Sequence, residues 1–347
     1  MSIGAVWFPI AHSIPELYAS RILVGLGAGG IFISIIKEID SLFNVRHFAT
    51  VLCVALFIGY SGGLAGTFPF ERLVAWLGWR AALFIAGVLC AAAFLATAIL
   101  LKRTGRLYVD EPARKAKLYC KDILLNWNSY PVIFSGAVNF SIYFIWQAVF
   151  GKKILTDTCG FSSAEAASVI FFMMLLSMIF TTANGFLSRL MGNRRKPIMV
   201  ASVFLTLTAL VLMTISLAIH PPDARWMTVG CLMLGLASSA SVIFICTMKE
   251  LNPERAAGTS IGFINSFCYL AIAMTAQGAG ALMDRFRDQA VSTASALIYP
   301  ASAYRSILVM CLIMAGLSVV TGLFIRESHG ICVYRPPDPT PGSLPTD

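Results

Sequence analysis

Residues 194–219 read RRKPIMVASVFLTLTALVLMTISLAI. Three cations, Arg194, Arg195 and Lys196, stand directly before an uncharged run, 197–219. A helix needs about 20 apolar residues to cross the hydrocarbon core of a bilayer. That core holds no water, so a spanning backbone must bond to itself, and a helix does this within one segment. Working outward, eight more stretches of this kind follow the same rule: residues 17–36, 48–70, 80–101, 131–150, 166–190, 226–248, 258–283 and 304–325. Residues 1–12 are apolar but too short to span, and read as the end of a helix. The expected fold class is an all-α membrane protein with about nine full transmembrane helices plus an N-terminal partial helix.

The composition agrees. Hydrophobic residues make up 58% of the 347 and charged residues 12%, with a mean hydropathy of +0.78. A soluble domain carries roughly 25% charge, so this chain has too little to cover a soluble surface. The net charge of +9 does not point to nucleic acid, because the cations sit in short loops and form no basic face. They alternate instead. On one side fall Lys37, Arg46, seven cations between Lys102 and Lys121, then Arg189, Arg194, Arg195, Lys196, Lys249, Arg255, Arg326 and Arg335. The other side holds Arg72, Arg80, Lys152, Lys153, Arg225, Arg285, Arg287 and Arg305. The richer side is expected to be cytoplasmic, and the carboxyl terminus with it. The expectation is an integral protein of the inner (plasma) membrane, with the lipid bilayer as its first partner.

The domain reading follows from the longest charged loop. Residues 1–101 form an incomplete N-terminal helical half, a stub plus three helices. Residues 102–130 form a cytoplasmic central loop, 131–326 a C-terminal six-helix half, and 327–347 a Pro-rich cytoplasmic tail expected to be disordered. A weak repeat links the halves: Lys37-Glu38-Ile39-Asp40 with Arg46, Ala49 and Thr50, and Lys249-Glu250-Leu251-Asn252 with Arg255, Gly258 and Thr259. Two related halves with a binding site between them are the usual plan of secondary transporters.

Four stretches resemble the major facilitator superfamily. Arg21 to Gly29, with Gly25 and Gly27, is similar to that family's fourth helix. Gly59 to Pro69, with Gly62, Gly63 and Gly66, resembles the fifth, and Gly78-Trp79-Arg80 the lead into the sixth. The most specific is Gly185 to Lys196, with Ser188, Arg189, Gly192, Arg194 and Arg195, which resembles the loop between helices eight and nine. The resemblance covers roughly residues 1–326. It implies an MFS-type helical bundle working by alternating access, and a cytoplasmic gating loop at Gly185, Ser188, Arg189, Gly192, Arg194, Arg195 and Lys196. Lys37-Glu38 and Lys249-Glu250 are candidate partners for that loop. Against the family's twelve helices, the first two and most of the third are unaccounted for. Arg189 stands where an aspartate is common, and the fifth-helix stretch lacks the adjacent Gly-Pro of antiporters.

Individual residues carry weaker signals. Gly25 to Gly30 matches G-x-G-x-x-G, but glycines in mid-span do not make a dinucleotide loop. Gly25 with Gly29, and Gly62 with Gly66, have the spacing of close helix packing. Arg21 lies within a span. Either it snorkels to the interface or it faces a cavity and an anionic partner. Asn139, Tyr143 and Trp146, with Gln147 beside them, share one helix face. Ser177, Thr181 and Asn184 repeat the spacing, as do Asn265 and Tyr269. These stripes either bond helix to helix or line a solute cavity.

The nine cysteines form no C-x-x-C pair, so neither a zinc site nor a disulfide framework is expected. The four histidines (His12, His47, His220, His329) have no metal-ligand neighbours in sequence, and no P-loop or G-x-S-x-G occurs. No metal, cofactor or catalytic residue is expected, and the chain is not read as an enzyme. The expected function is secondary active transport of a small organic solute, with a coupling proton or ion. The alternatives are a truncated fragment, a multi-span membrane enzyme, or a scaffold.

Overall fold

A computed structural model describes residues 1–42, 45–104, 119–219, 222–292 and 297–334. Residues 105–118 of the expected central loop, His220 and the end of the tail (335–347) lie outside the described residues. The chain separates into two compact units. The first comprises residues 1–117 and 161–175, the second residues 118–160 and 176–347.

The first unit contains α1 (Ser2–Trp7), a 3-10 turn Phe8–Ile10, α2 (Ile14–Gly29), α3 (Ile31–Leu42), α4 (Val45–Ala65), α5 (Phe68–Leu77) and α6 (Trp79–Arg103). Helix α2 starts on a reciprocal cap. The Glu16 amide donates to Ser13 Oγ at 3.4 Å, and Glu16 Oε2 accepts from the His12 amide at 2.9 Å. Small residues bring α1 close to its neighbours. A Cβ on Gly4 would lie 2.5 Å from the Ser20 carbonyl of α2, and one on Gly87 of α6 2.9 Å from the Ala5 carbonyl.

The second unit contains α7 (Cys120–Leu124), α8 (Ser129–Ile145), a π-helical turn Trp146–Phe150 and α9 (Gly151–Cys159). Next come α10 (Ser163–Leu190, its start belonging to the first unit), α11 (Lys196–Ala218), α12 (Ala224–Ser238), α13 (Ser241–Glu250) and α14 (Ala257–Asp284). A two-residue ribbon pairs Val291 with Ile298 and Ser292 with Leu297, and α15 (Ala301–Leu323) follows. Helix α8 is the core: Val132, Ile133, Val138, Ile142 and Ile145 are buried along it. It packs on α14 and α15, while α11 packs on α12 and α15. Helix α15 shows what solvent it was built for. From Cys311 onward its buried positions are the small Cys311, Ala315, Ser318 and Gly322, whereas Ile313, Leu317 and Val320 are exposed. Small residues inside and large apolar ones outside suit a helix whose surroundings are lipid.

Among the described residues seven helical stretches are long and apolar enough to cross a membrane: Trp79–Arg103, Ser129–Cys159, Ser163–Leu190, Lys196–Ala218, Ala224–Glu250, Glu254–Asp284 and Ala301–Leu323. Each contains one expected span or most of it. The two earliest expected spans take other forms. Residues 17–36 are divided at Gly30, where a turn separates α2 from α3. Four glycines within six residues explain this, since each costs a helix about 1 kcal/mol relative to alanine. Residues 48–70 end early: α4 stops at Ala65, and Pro69 sits in the first turn of α5.

Candidate functional site

The most organised polar cluster lies in the second unit, where the loop after α10 meets the ends of α13 and α15. Helix α10 ends in a left-handed pair, Gly192 at φ 70° and Asn193 at φ 58°. Glycine adopts that conformation at no steric cost, and asparagine tolerates it. The turn is closed by Asn193 N–H donating to the Ser188 carbonyl at 2.7 Å and Gly192 N–H to the Arg189 carbonyl at 3.1 Å. This aims Arg195 inward. Its Nη1 donates to Ser188 Oγ at 2.9 Å and its Nη2 pairs with Glu250 Oε1 at 3.1 Å. Both side chains of the pair are largely enclosed, at 15% and 14% exposure.

The segment after α15 completes the cluster. The Glu327 carboxylate accepts from the backbone N–H of Arg195 at 2.7 Å and of Lys196 at 3.1 Å. It thereby supplies α11 with an anionic cap at the end where orphan N–H groups and the helix dipole favour one. Burial pushes the Glu327 carboxyl up, but donation from the N–H groups of Arg195, His329, Lys196 and Ser328 outweighs it. The group is held below the usual carboxylate range. Ser328 Oγ donates to Glu250 Oε2 at 2.6 Å, and Val333 N–H to the Glu250 carbonyl at 2.9 Å. Residues 327–334, expected as the start of a tail, thus bond to α13 and to the loop before α11. Beside them the buried Asn252 bonds to Ser129 and Asn126, and Arg255 pairs with Asp122 at 3.1 Å.

The remaining gating-loop residues face outward. Arg189 and Arg194 are exposed, and a Cβ at Gly185 would meet nothing within 4 Å. Lys196 Nζ donates to the Leu323 carbonyl at 2.8 Å.

The expected cavity stripes divide by partner. Asn139, 4% exposed, donates to Ser202 Oγ at 3.1 Å and accepts from Thr206 Oγ1 at 3.0 Å, binding α8 to α11. Ser177 shares a hydrogen bond with Ser238 at 2.8 Å, and Asn184 donates to Ser239 at 2.7 Å, binding α10 to α12. Thr181 donates to the Ser177 carbonyl of its own helix at 2.6 Å. Trp146 is fully buried at the start of the π-helical turn that also holds Gln147, and Tyr143 is buried one turn earlier. π-Turns frequently mark functional positions. On α14, Asn265 is half-buried and makes no hydrogen bond among the described residues. Tyr269, 57% exposed, meets Phe140 of α8 edge-on with centroids 6.4 Å apart.

In the first unit, the Arg21 guanidinium stacks 3.6 Å from the centre of the Phe8 ring, an exposed cation-π contact. A Cβ at Gly25, Gly29 or Gly62 would meet no atom within 4 Å, and one at Gly66 would meet only its own turn.

Besides Glu327, a second charged group was missed by sequence reasoning. Asp157 of α9 is 7% exposed; it pairs with Lys153 at 3.0 Å and accepts from Tyr304 Oη at 2.6 Å and from Tyr299 N–H at 3.2 Å. The i, i+4 spacing of Lys153 and Asp157 was its signal. Among the described residues, no group of three or more His, Cys, Asp or Glu is placed to hold a metal.

A family model described as the Major Facilitator Superfamily matches residues 1–276. No curated protein matches the chain. Among solved structures, it is similar to that of a bacterial homolog to the human lysosomal transporter Spinster, in an inward-facing and unoccupied conformation. The identity is 18%, over 93% of this chain and 78% of that one, with a TM-score of 0.55. At that identity the likeness concerns the fold.

Proposed function

The chain belongs to the Major Facilitator Superfamily, and from that premise we propose that it carries a small organic solute across the membrane by alternating access, driven by a solute, proton or ion gradient. It is an integral membrane protein with the family and the fold of a secondary transporter. The observation that carries the finer reading is the cluster built on Arg195. One guanidinium joins α10, through Ser188, to the end of α13, through Glu250, while Glu327 caps α11 beside it. Charge-assisted bonds between helix ends hold strongly while they last and break as a set when the ends part. They form a latch.

The latch and the carboxyl terminus belong on the cytoplasmic side of an inner (plasma) membrane in this reading, supported by the excess of cations in those loops. The solute-facing residues are Asn265 and Tyr269 of α14 with Gln147 at the π-helical turn. Asn139, Ser177 and Asn184 serve helix contacts, as their bonds to Ser202, Ser238 and Ser239 support.

A screen of the purified protein against organic acids, amino acids, peptides and sugars tests the reading. One class should raise the melting temperature and then enter proteoliposomes that contain the protein. Arg195→Gln should remove uptake but leave the ligand-induced shift, because the latch gates and does not bind. Asn265→Ala with Tyr269→Ala should remove the shift itself. If no class of solute shifts the protein, and none enters liposomes faster with the protein than without, the transport reading fails. Normal uptake by Arg195→Gln would end the latch.

A further inference from the structure

We propose that the groove at the loop end of α11 and α15 binds the headgroup of an anionic phospholipid. The groove has a volume of about 430 Å³. Its wall is apolar, formed by Pro197, Val200 and Leu323, and its rim carries Arg194, Lys196 and His329. The spans Lys196–Ala218 and Ala301–Leu323 begin and end here. The wall therefore lies within the lipid-crossing segments and the rim just beyond them, at headgroup depth.

The charges favour an anion. Glu327 also lines the groove, but its oxygens are engaged by the backbone N–H groups of Arg195 and Lys196, and it makes no ion pair with either rim cation. Among the described residues the Arg194 guanidinium makes no hydrogen bond or ion pair. Lys196 Nζ gives one proton to the Leu323 carbonyl and has two more to offer. A phosphodiester with one negative charge fits between these two cations. A zwitterionic headgroup brings an ammonium that they repel. A free phosphate would satisfy the rim and leave the apolar wall uncovered, whereas a lipid covers both. The site depends on the membrane spans and on no solute, so its failure would leave the transport reading standing.

The test is a titration of the detergent-purified protein with phosphatidylglycerol, phosphatidylcholine and inorganic phosphate, counting bound lipid by native mass spectrometry and following the melting temperature. Phosphatidylglycerol should be retained and stabilising, phosphatidylcholine weakly held, and phosphate without effect at the same concentration. Each surface cation near an anionic lipid contributes about fivefold in affinity. Arg194→Gln should therefore weaken phosphatidylglycerol about fivefold, and Arg194→Gln with Lys196→Gln about 30-fold. Arg225→Gln, an exposed cation outside the groove, should change nothing. The single Arg194 variant loses no internal contact, so it reports even if the double variant unfolds. Equal retention of the two lipids, or unchanged binding by Arg194→Gln, would overturn the proposal. So would equal weakening by Arg225→Gln, which would show diffuse charge, or protection by phosphate matching that by lipid, which would show a free-anion site.

Discussion

Four side chains show how a residue's type hints at its role while its partner decides it. Asn139 and Asn265 are both mid-helix amides, indistinguishable in sequence. Asn139 is enclosed by Ser202 and Thr206, so Asn139→Ala removes two buried interhelical hydrogen bonds while the hydroxyls keep those to the Met199 and Ser202 carbonyls; at about 0.5–1.5 kcal/mol each, the loss should be about 1–3 kcal/mol of stability. Asn265→Ala should cost no more than about 0.5 kcal/mol, because the half-buried amide makes no hydrogen bond among the described residues and its loss leaves no partner unsatisfied. Thermal unfolding in detergent compares them, and equal losses would show that burial at Asn139 has been misjudged. Arg195 was legible as one of three cations in the loop before α11. That it alone would be enclosed was not legible, because that depends on Glu250, 55 residues on. Glu327 was invisible as a functional group, since its cap on α11 joins positions 132 apart. Its lowered pKa gives the cap a defined pH dependence. The carboxylate stabilises the folded state fully at pH values above the ordinary value of about 4.3, and the contribution is lost as pH falls through the lower folded-state value. Glu327→Gln should therefore melt below wild type at pH 7, with the gap closing under strong acid. No gap at neutral pH, or one that persists in acid, would remove the cap from the account.

At the scale of helices, apolar length was readable because it is a matter of composition: seven of the expected spans fall in long apolar helical stretches, the widest departure being Ser129–Cys159, which continues well past the expected end at residue 150. Interruptions were not, because they depend on local competition for backbone bonds. The span 226–248 contains the break between α12 and α13. There Ser238 and Ser239 donate to the carbonyls of Gly235 and Leu236, and hydroxyls bonding back in this way bend helices. Packing glycines were harder still. Spacing drew attention to Gly25, Gly29 and Gly62, around which a Cβ finds open space. A close approach not flagged by spacing is at Gly230 of α12, where a Cβ would lie 2.3 Å from Met213 Cγ and 3.1 Å from the Ala209 carbonyl of α11. Gly230→Ala should thus cost about 1–3 kcal/mol through overpacking, with partial recovery when Met213 is also made alanine. Gly62→Ala should be neutral or slightly stabilising, since it only improves helix propensity. The reverse order of melting temperatures would restore the spacing-based assignment.

Over the whole molecule, the sidedness of the latch follows from parity. Three stretches long and apolar enough to cross a membrane, Ser129–Cys159, Ser163–Leu190 and Lys196–Ala218, separate the end of α6 from the start of α12. Three is odd, so if all three cross, these two points face opposite compartments whichever way the chain is inserted. In the proposed orientation the end of α6 lies in the cytoplasm, because seven cations lie between Lys102 and Lys121 against Arg225 alone near the start of α12. A reporter active only in the cytoplasm should work when fused after Leu101 and fail after Ala224. One that needs export should do the opposite. Two further crossings, Ala224–Glu250 and Glu254–Asp284, bring the chain to α15, whose own crossing returns Glu327 to the compartment of Leu101. A fusion after Glu327 should therefore match the first and differ from the second. Agreement between the Leu101 and Ala224 fusions would mean that one of the three stretches does not cross, and the long, partly broken Ser129–Cys159 is the first to question. Opposite fusions with the export reporter active after Leu101 would keep the crossings and invert the molecule. The latch of Arg195, Glu250 and Glu327 would then close the outer mouth of the transporter instead of the inner one.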